Sequence, residues 1–135
     1  MKNKTAKAGP LDKKTVQIVS ARRLQCDLMA HYLTVHTGVS CVIASDPAAI
    51  TVNPAESDHS TLVLLDCPER DPVKYFMALA VSGKRVLSNC LVALFNVRPG
   101  LGIEERAVSW GIRGFFYETD TVDQLVKGIQ SLFKG

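Results

Sequence analysis

Along this chain, short unbroken apolar runs alternate with longer stretches whose apolar residues recur every three or four positions. The runs "TVQIVS" (15–20), "VSCVIAS" (39–45), "TLVLLD" (61–66), "CLVALFNV" (90–97) and "GFFY" (114–117) predict five strands. Between the first two, "ARRLQCDLMAHYLTVHTG" places Leu24, Leu28, Tyr32 and Val35 near helical spacing, with Gly38 as a stop. Asp46 and Pro47 open a short helix, "PAAITVN". Asp71 and Pro72 open another, with Val73, Phe76, Met77 and Ala80 as its apolar positions and Gly83 at its end. "GIEERAVSWG" (102–111) reads as a short helix. The last helix has the clearest signal. Asp120 is its expected cap, Asp123 lies in its first turn, and Val122, Leu125, Val126, Ile129, Leu132 and Phe133 form one stripe.

Strands that are apolar throughout, rather than alternating, are buried on both faces and belong to parallel sheets covered by helices. Five such strand–helix units predict an α/β, flavodoxin-like, doubly wound five-stranded parallel sheet in a single domain. In that architecture the functional crevice lies at the carboxyl ends of the strands. Ser20, Asp66, Asn96 and the Glu118 region therefore share one edge.

Charge changes this picture at one end only. Residues 1–23 carry seven Lys/Arg against Asp12, a net of +6, and the remainder nets −3. Residues 1–13 read as a basic, disordered leader and 14–135 as the domain. No apolar run approaches the ~20 residues of a membrane span, and no apolar segment follows the basic start as in a signal peptide. A cytoplasmic protein is expected. Cys26, Cys41, Cys67 and Cys90 are widely spaced and read as free thiols in or near the core. Cys26, His31 and His36 are a poor metal set, because residues five apart fall on different faces of a helix. No metal or cofactor is expected.

Asp66 ends the third strand just before the loop "CPERDP", and the chain closes with "WGIRGFFYETDTVDQLVKGIQSLFKG". This arrangement resembles a bacterial receiver domain from Thr15 onward. The closing segment is similar to the atypical receivers of LuxR-type regulators in the CsgD- and VpsT-like group, which control biofilm matrix. The resemblance makes Asp66 the equivalent of the phosphate acceptor, and the residues around it depart from the pattern. Receivers place an acidic pair after strand one to help hold Mg²⁺; here Ser20 and Ala21 stand there. Asn96 replaces the usual Thr or Ser after strand four, and Glu118 replaces the usual Lys after strand five. Asp66 is thus expected to be inactive in phosphotransfer, capping local N–H groups or pairing with Arg22 or Arg23.

"WGIR" (110–113) invites comparison with the W-[FLM]-[ST]-R motif that links VpsT-like proteins to cyclic di-GMP. Gly111 and Ile112 do not fit it, and it precedes strand five where the family's motif follows the last helix. Trp110 is read as a packing residue at a helix end. The resemblance places both the cyclic di-GMP motif and the helix-turn-helix DNA-binding domain beyond Gly135. "RPGLG" (98–102) lacks any phosphate-loop pattern and reads as the loop after strand four. The leading expectation is a LuxR-type regulatory domain that self-associates and couples signals without catalysis. A homodimer is expected, with Gln124, Lys127, Gly128 and Ser131 outward on the last helix and Leu132 and Phe133 at its end. The segment 110–117 is added to that surface. The rivals are a phospho-receiver working through Asp66 and a small flavodoxin-like enzyme or nucleotide-binding module.

Overall fold

The computed structural model describes residues 9–45, 60–67, 91–100 and 102–135. The helices expected after Asp46 and Asp71, and Cys90, lie outside the described residues. Five strands form one sheet: β1 (Thr15–Val19), β2 (Ser40–Ala44), β3 (Thr61–Asp66), β4 (Leu91–Val97) and β5 (Gly114–Tyr117). Their order is β2-β1-β3-β4-β5 and every pairing is parallel. This is the flavodoxin-like doubly wound order, with β1 and β3 adjacent at the switch point.

The helices are α1 (Arg23–Thr37), α2 (Glu104–Ser109) and α3 (Val122–Lys134). Alternate side chains of the strands divide the core in two. Val16, Ile18, Leu62, Leu64, Ala93 and Phe95 pack with Cys26 and Leu33 of α1 and with Leu125, Val126 and Ile129 of α3. Val19, Val63, Leu65, Val92, Leu94 and Val97 face the other way, toward Ala107 and Ile112. The central strand β3 is buried along nearly its whole length, which is why its sequence does not alternate.

Several local expectations change. Residues 9–13 are folded: Leu11 is in the core and its N–H donates to the Thr37 carbonyl at the end of α1. A leader extending to residue 13 is therefore too long, because an apolar side chain there finds a buried slot. α1 does end at Gly38, whose φ of 78° lies in the left-handed region glycine adopts without strain. Yet of the expected stripe only Tyr32 packs against the core, beside Cys26, Met29, Ala30, Leu33 and Thr37, whereas Leu24, Leu28 and Val35 face outward. α3 is capped by Thr121, not Asp120. The Thr121 hydroxyl accepts from the Gln124 N–H at 3.1 Å, and the Gln124 side chain accepts from the Thr121 N–H at 2.8 Å. Asp120 serves the preceding turn instead, accepting from the Tyr117 N–H at 2.8 Å.

The expected dimer surface on α3 is also altered. Gln124, Lys127 and Ser131 are exposed, but Gly128 is not outward: a Cβ built there lies 2.3 Å from Cε1 of Phe116. Glycine at this position lets the helix approach β5. Leu132 and Phe133 are half-buried against the core, and Lys14 stands over the Phe133 ring with its ammonium 5.7 Å from the centroid. Trp110 caps the C-terminus of α2 and remains 44% exposed, more open than a packing residue. α2 itself is shorter than its sequence pattern, since Gly102 takes a φ of 72° and Gly111 one of 93°.

Candidate functional site at the strand ends

The carboxyl ends of β1, β3 and β4 bring together Ser20, Asp66 and Asn96. Asp66 is the last residue of β3, and its side chain is 14% exposed. One carboxylate oxygen, Oδ2, accepts from the Ser20 hydroxyl at 2.6 Å. The other, Oδ1, accepts from the Asn96 amide at 3.1 Å. Arg22 places Nε 3.6 Å from Oδ2. The Ser20 oxygen also accepts from the Arg22 backbone N–H at 3.0 Å, which fixes the start of α1 above the carboxylate.

Asn96 reaches Asp66 through an irregularity in β4. Leu94 pairs with Phe115 and Val97 with Tyr117, so β4 spends one residue more than β5 over this span. Asn96 sits in that bulge at φ 60°, the left-handed region that asparagine tolerates better than most residues. Its amide then pairs with the Gln25 amide of α1: Asn96 Nδ2 donates to Gln25 Oε1 at 3.1 Å, and Gln25 Nε2 donates to Asn96 Oδ1 at 3.4 Å. Gln25 was not singled out in the sequence. A polar residue one turn into a helix that starts at the strand ends was the available signal.

Glu118 does not join this cluster. It follows β5 and is exposed, and its carboxylate lies 3.9 Å from Nε of Arg98 on the loop after β4. Ala21 is exposed and has no polar side chain to offer. Nearby, Tyr117 donates its hydroxyl to Glu104 at 2.6 Å. That bond, with some burial, pushes the phenol up to about 12. It also holds Glu104 below the usual carboxylate value. Burial raises the thiols of Cys26, Cys41 and Cys67, that of Cys67 to about 11. Cys26 lies on the core side of α1 and His31 on its exposed side, which separates two members of the metal set considered above.

The cluster does not fit a divalent cation. Hard cations need several oxygen ligands. Among the described residues a single carboxylate stands here, with an N–H or O–H donor on each oxygen and a guanidinium where positive charge is needed. Among the described residues no group of three or more His, Cys, Asp or Glu is placed to hold a metal ion.

The arrangement of elements is that of response-regulator receiver domains. No protein-family model matches the chain. No curated protein matches it either. Solved structures do. The regulatory domain of the master biofilm regulator CsgD is 20% identical, with a TM-score of 0.70, covering 90% of this chain and 88% of that one. A response regulator from Colwellia psychrerythraea is 19% identical, with a TM-score of 0.64 and coverages of 90% and 98%. A LuxR-family DNA-binding response regulator from Silicibacter pomeroyi is 19% identical, with a TM-score of 0.64 and coverages of 90% and 92%. A structure described as an adenylate cyclase from Rhodopirellula baltica has the same fold at 11% identity and a TM-score of 0.65. At these identities the likeness is one of fold. Among the described residues no helix is long and apolar enough to cross a membrane.

Proposed function

We propose that this chain is a phosphorylation-independent, receiver-like regulatory domain of a LuxR-type transcription regulator. It works by self-association and signal coupling, not by phosphoryl transfer. The observation that carries this reading is the state of Asp66. An acceptor carboxylate needs a free oxygen to attack phosphorus and a metal to neutralise the transferring group. Asp66 has both oxygens engaged, by Ser20 and Asn96, and the Arg22 guanidinium 3.6 Å away. The residues after β1 add no second carboxylate, and Glu118 would repel a phosphoryl group rather than pair with it. Any contact with DNA belongs, on this reading, to a separate domain. A role in biofilm control is supported only by the likeness to the CsgD regulatory domain.

The test is exposure to acetyl phosphate, and separately to beryllofluoride, with Mg²⁺ present. Intact mass is expected to stay unchanged and amide NMR shifts to remain in place. A mass gain of about 80 Da, the phosphoryl group, that disappears in Asp66→Asn would refute the reading in favour of a working phospho-receiver.

A further inference from the structure

α1 is apolar on two opposite sides. Its inner side carries Cys26 and Leu33 into the core. On its outer side Leu24 is 74% exposed, Leu28 64% and Val35 63%. At 100° per residue, positions 24, 28, 31 and 35 fall within about 60° of one another and run for ~17 Å along the helix. Their spacing of four, three and four is that of a coiled-coil seam, in which each side chain enters a hole on a facing helix. His31 is the third member and is exposed. An apolar stripe that a helix turns away from its own core is unusual unless another surface covers it.

We infer that this stripe is the self-association surface of the domain, and that its occupant is α1 of a second copy lying antiparallel. The inference rests on the proposed function above and gives it a location. Three observations select this occupant. The stripe is its own complement: a two-fold axis between Leu28 and His31 sets Leu24 against Val35 and Leu28 against His31. Charge favours the antiparallel sense. Asp27 flanks the seam and pairs with Arg23 at 3.2 Å in its own helix. In the antiparallel pairing Asp27 comes beside His31 of the partner subunit, whereas a parallel pairing stacks His31 on His31. Finally, two other covers are poor matches. Residues 1–8, "MKNKTAKA", hold one large apolar side chain and three lysines, and the apolar end of α3 is already packed against the core. A stable interface buries about 800 Å² on each partner, more than a four-position seam supplies. The dimer is therefore weak and depends on concentration.

The test uses sedimentation equilibrium of the full chain from low micromolar to near-millimolar concentration, with circular dichroism to check folding. The wild type is expected to show a monomer–dimer equilibrium that Leu28→Asp weakens at least roughly tenfold and that Lys127→Glu on α3 leaves unchanged. Leu28 is exposed, so its substitution does not disturb the core. With Cys41 replaced by serine, a mixture of Leu24→Cys and Val35→Cys chains is expected to form the cross-linked heterodimer ahead of either homodimer. If Lys127→Glu dissociates the dimer and Leu28→Asp does not, the inference fails while the reading of the domain as a self-associating one stands. If homodimers of Leu24→Cys form first, the antiparallel arrangement is wrong. If the wild type stays monomeric throughout, both this inference and the self-association it rests on are refuted, whatever the phosphorylation test returns.

Discussion

Glycine in the middle of an exposed helix is a weak point that alanine ordinarily repairs, with a gain of about 1 kcal/mol. Gly128 lies near the middle of α3 and invites that substitution. Here the outcome is expected to reverse. A Cβ at this position would sit 2.3 Å from Cε1 and 2.9 Å from Cζ of Phe116. Both distances are well inside van der Waals contact, so the ring or the helix must move. Phe116 is only 7% exposed, which leaves its ring little room. Overpacking of this kind costs about 1–3 kcal/mol. Set against the propensity gain, Gly128→Ala should destabilise the domain by roughly 1 kcal/mol. Urea denaturation followed by circular dichroism measures this, with an unchanged slope showing that only stability moved. A double-mutant cycle isolates the cause. In a Phe116→Leu background the contact is removed, and the same Gly128→Ala change should become neutral or stabilising, with a coupling of about 1–2 kcal/mol. If Gly128→Ala stabilises the otherwise native protein by about 1 kcal/mol, the position is open to solvent and the account of how α3 seats on β5 is wrong.

Leu11→Ala should cost about 2–4 kcal/mol, as for a buried leucine, whereas a residue in an unfolded leader would change stability by less than about 0.5 kcal/mol; the same denaturation assay decides. The Tyr117 phenol, pushed up to about 12 by its bond to Glu104, binds its proton more tightly folded than unfolded. Its contribution is therefore present below about pH 10, the ordinary tyrosine value, and is lost as pH rises from there toward 12. Phenolate absorbance should show a late-titrating step that is lost in Tyr117→Phe, and a titration curve whose late part the substitution leaves unchanged would contradict the assignment.

How much the sequence reveals here depends on whether a residue's role is set by its neighbours in the chain. β3 was plain in "TLVLLD" because burial on both faces leaves no polar position. The stop at Gly38 was equally plain, since few residues but glycine accept its backbone angles. The inward face of α1 was not, because a helix with apolar residues on two sides has no periodicity that says which side is the core. The cap of α3 was misplaced by one residue because Asp120 and Thr121 are both good caps, and only the bond from the Tyr117 N–H shows which is engaged elsewhere. Asp66 and Ser20 were legible as members of a shared edge. The amide pair between Asn96 and Gln25 was not, since it depends on a bulge that re-aims one side chain by the insertion of a single residue.

The polar cluster around Asp66 also bears on the order in which the domain assembles. Its bonds join residues 46, 30 and 71 positions apart in the chain, and none can close until β1, β3 and β4 lie side by side. Contacts of such long range are slow to form, because loop closure precedes any return from them. The cluster is therefore expected to close on the native side of the folding barrier. Loosening it, for instance with Asn96→Ala, should speed unfolding while leaving the refolding rate nearly unchanged. The residues that hold the Asp66 carboxylate would then act as the latch that sets how long the folded domain persists.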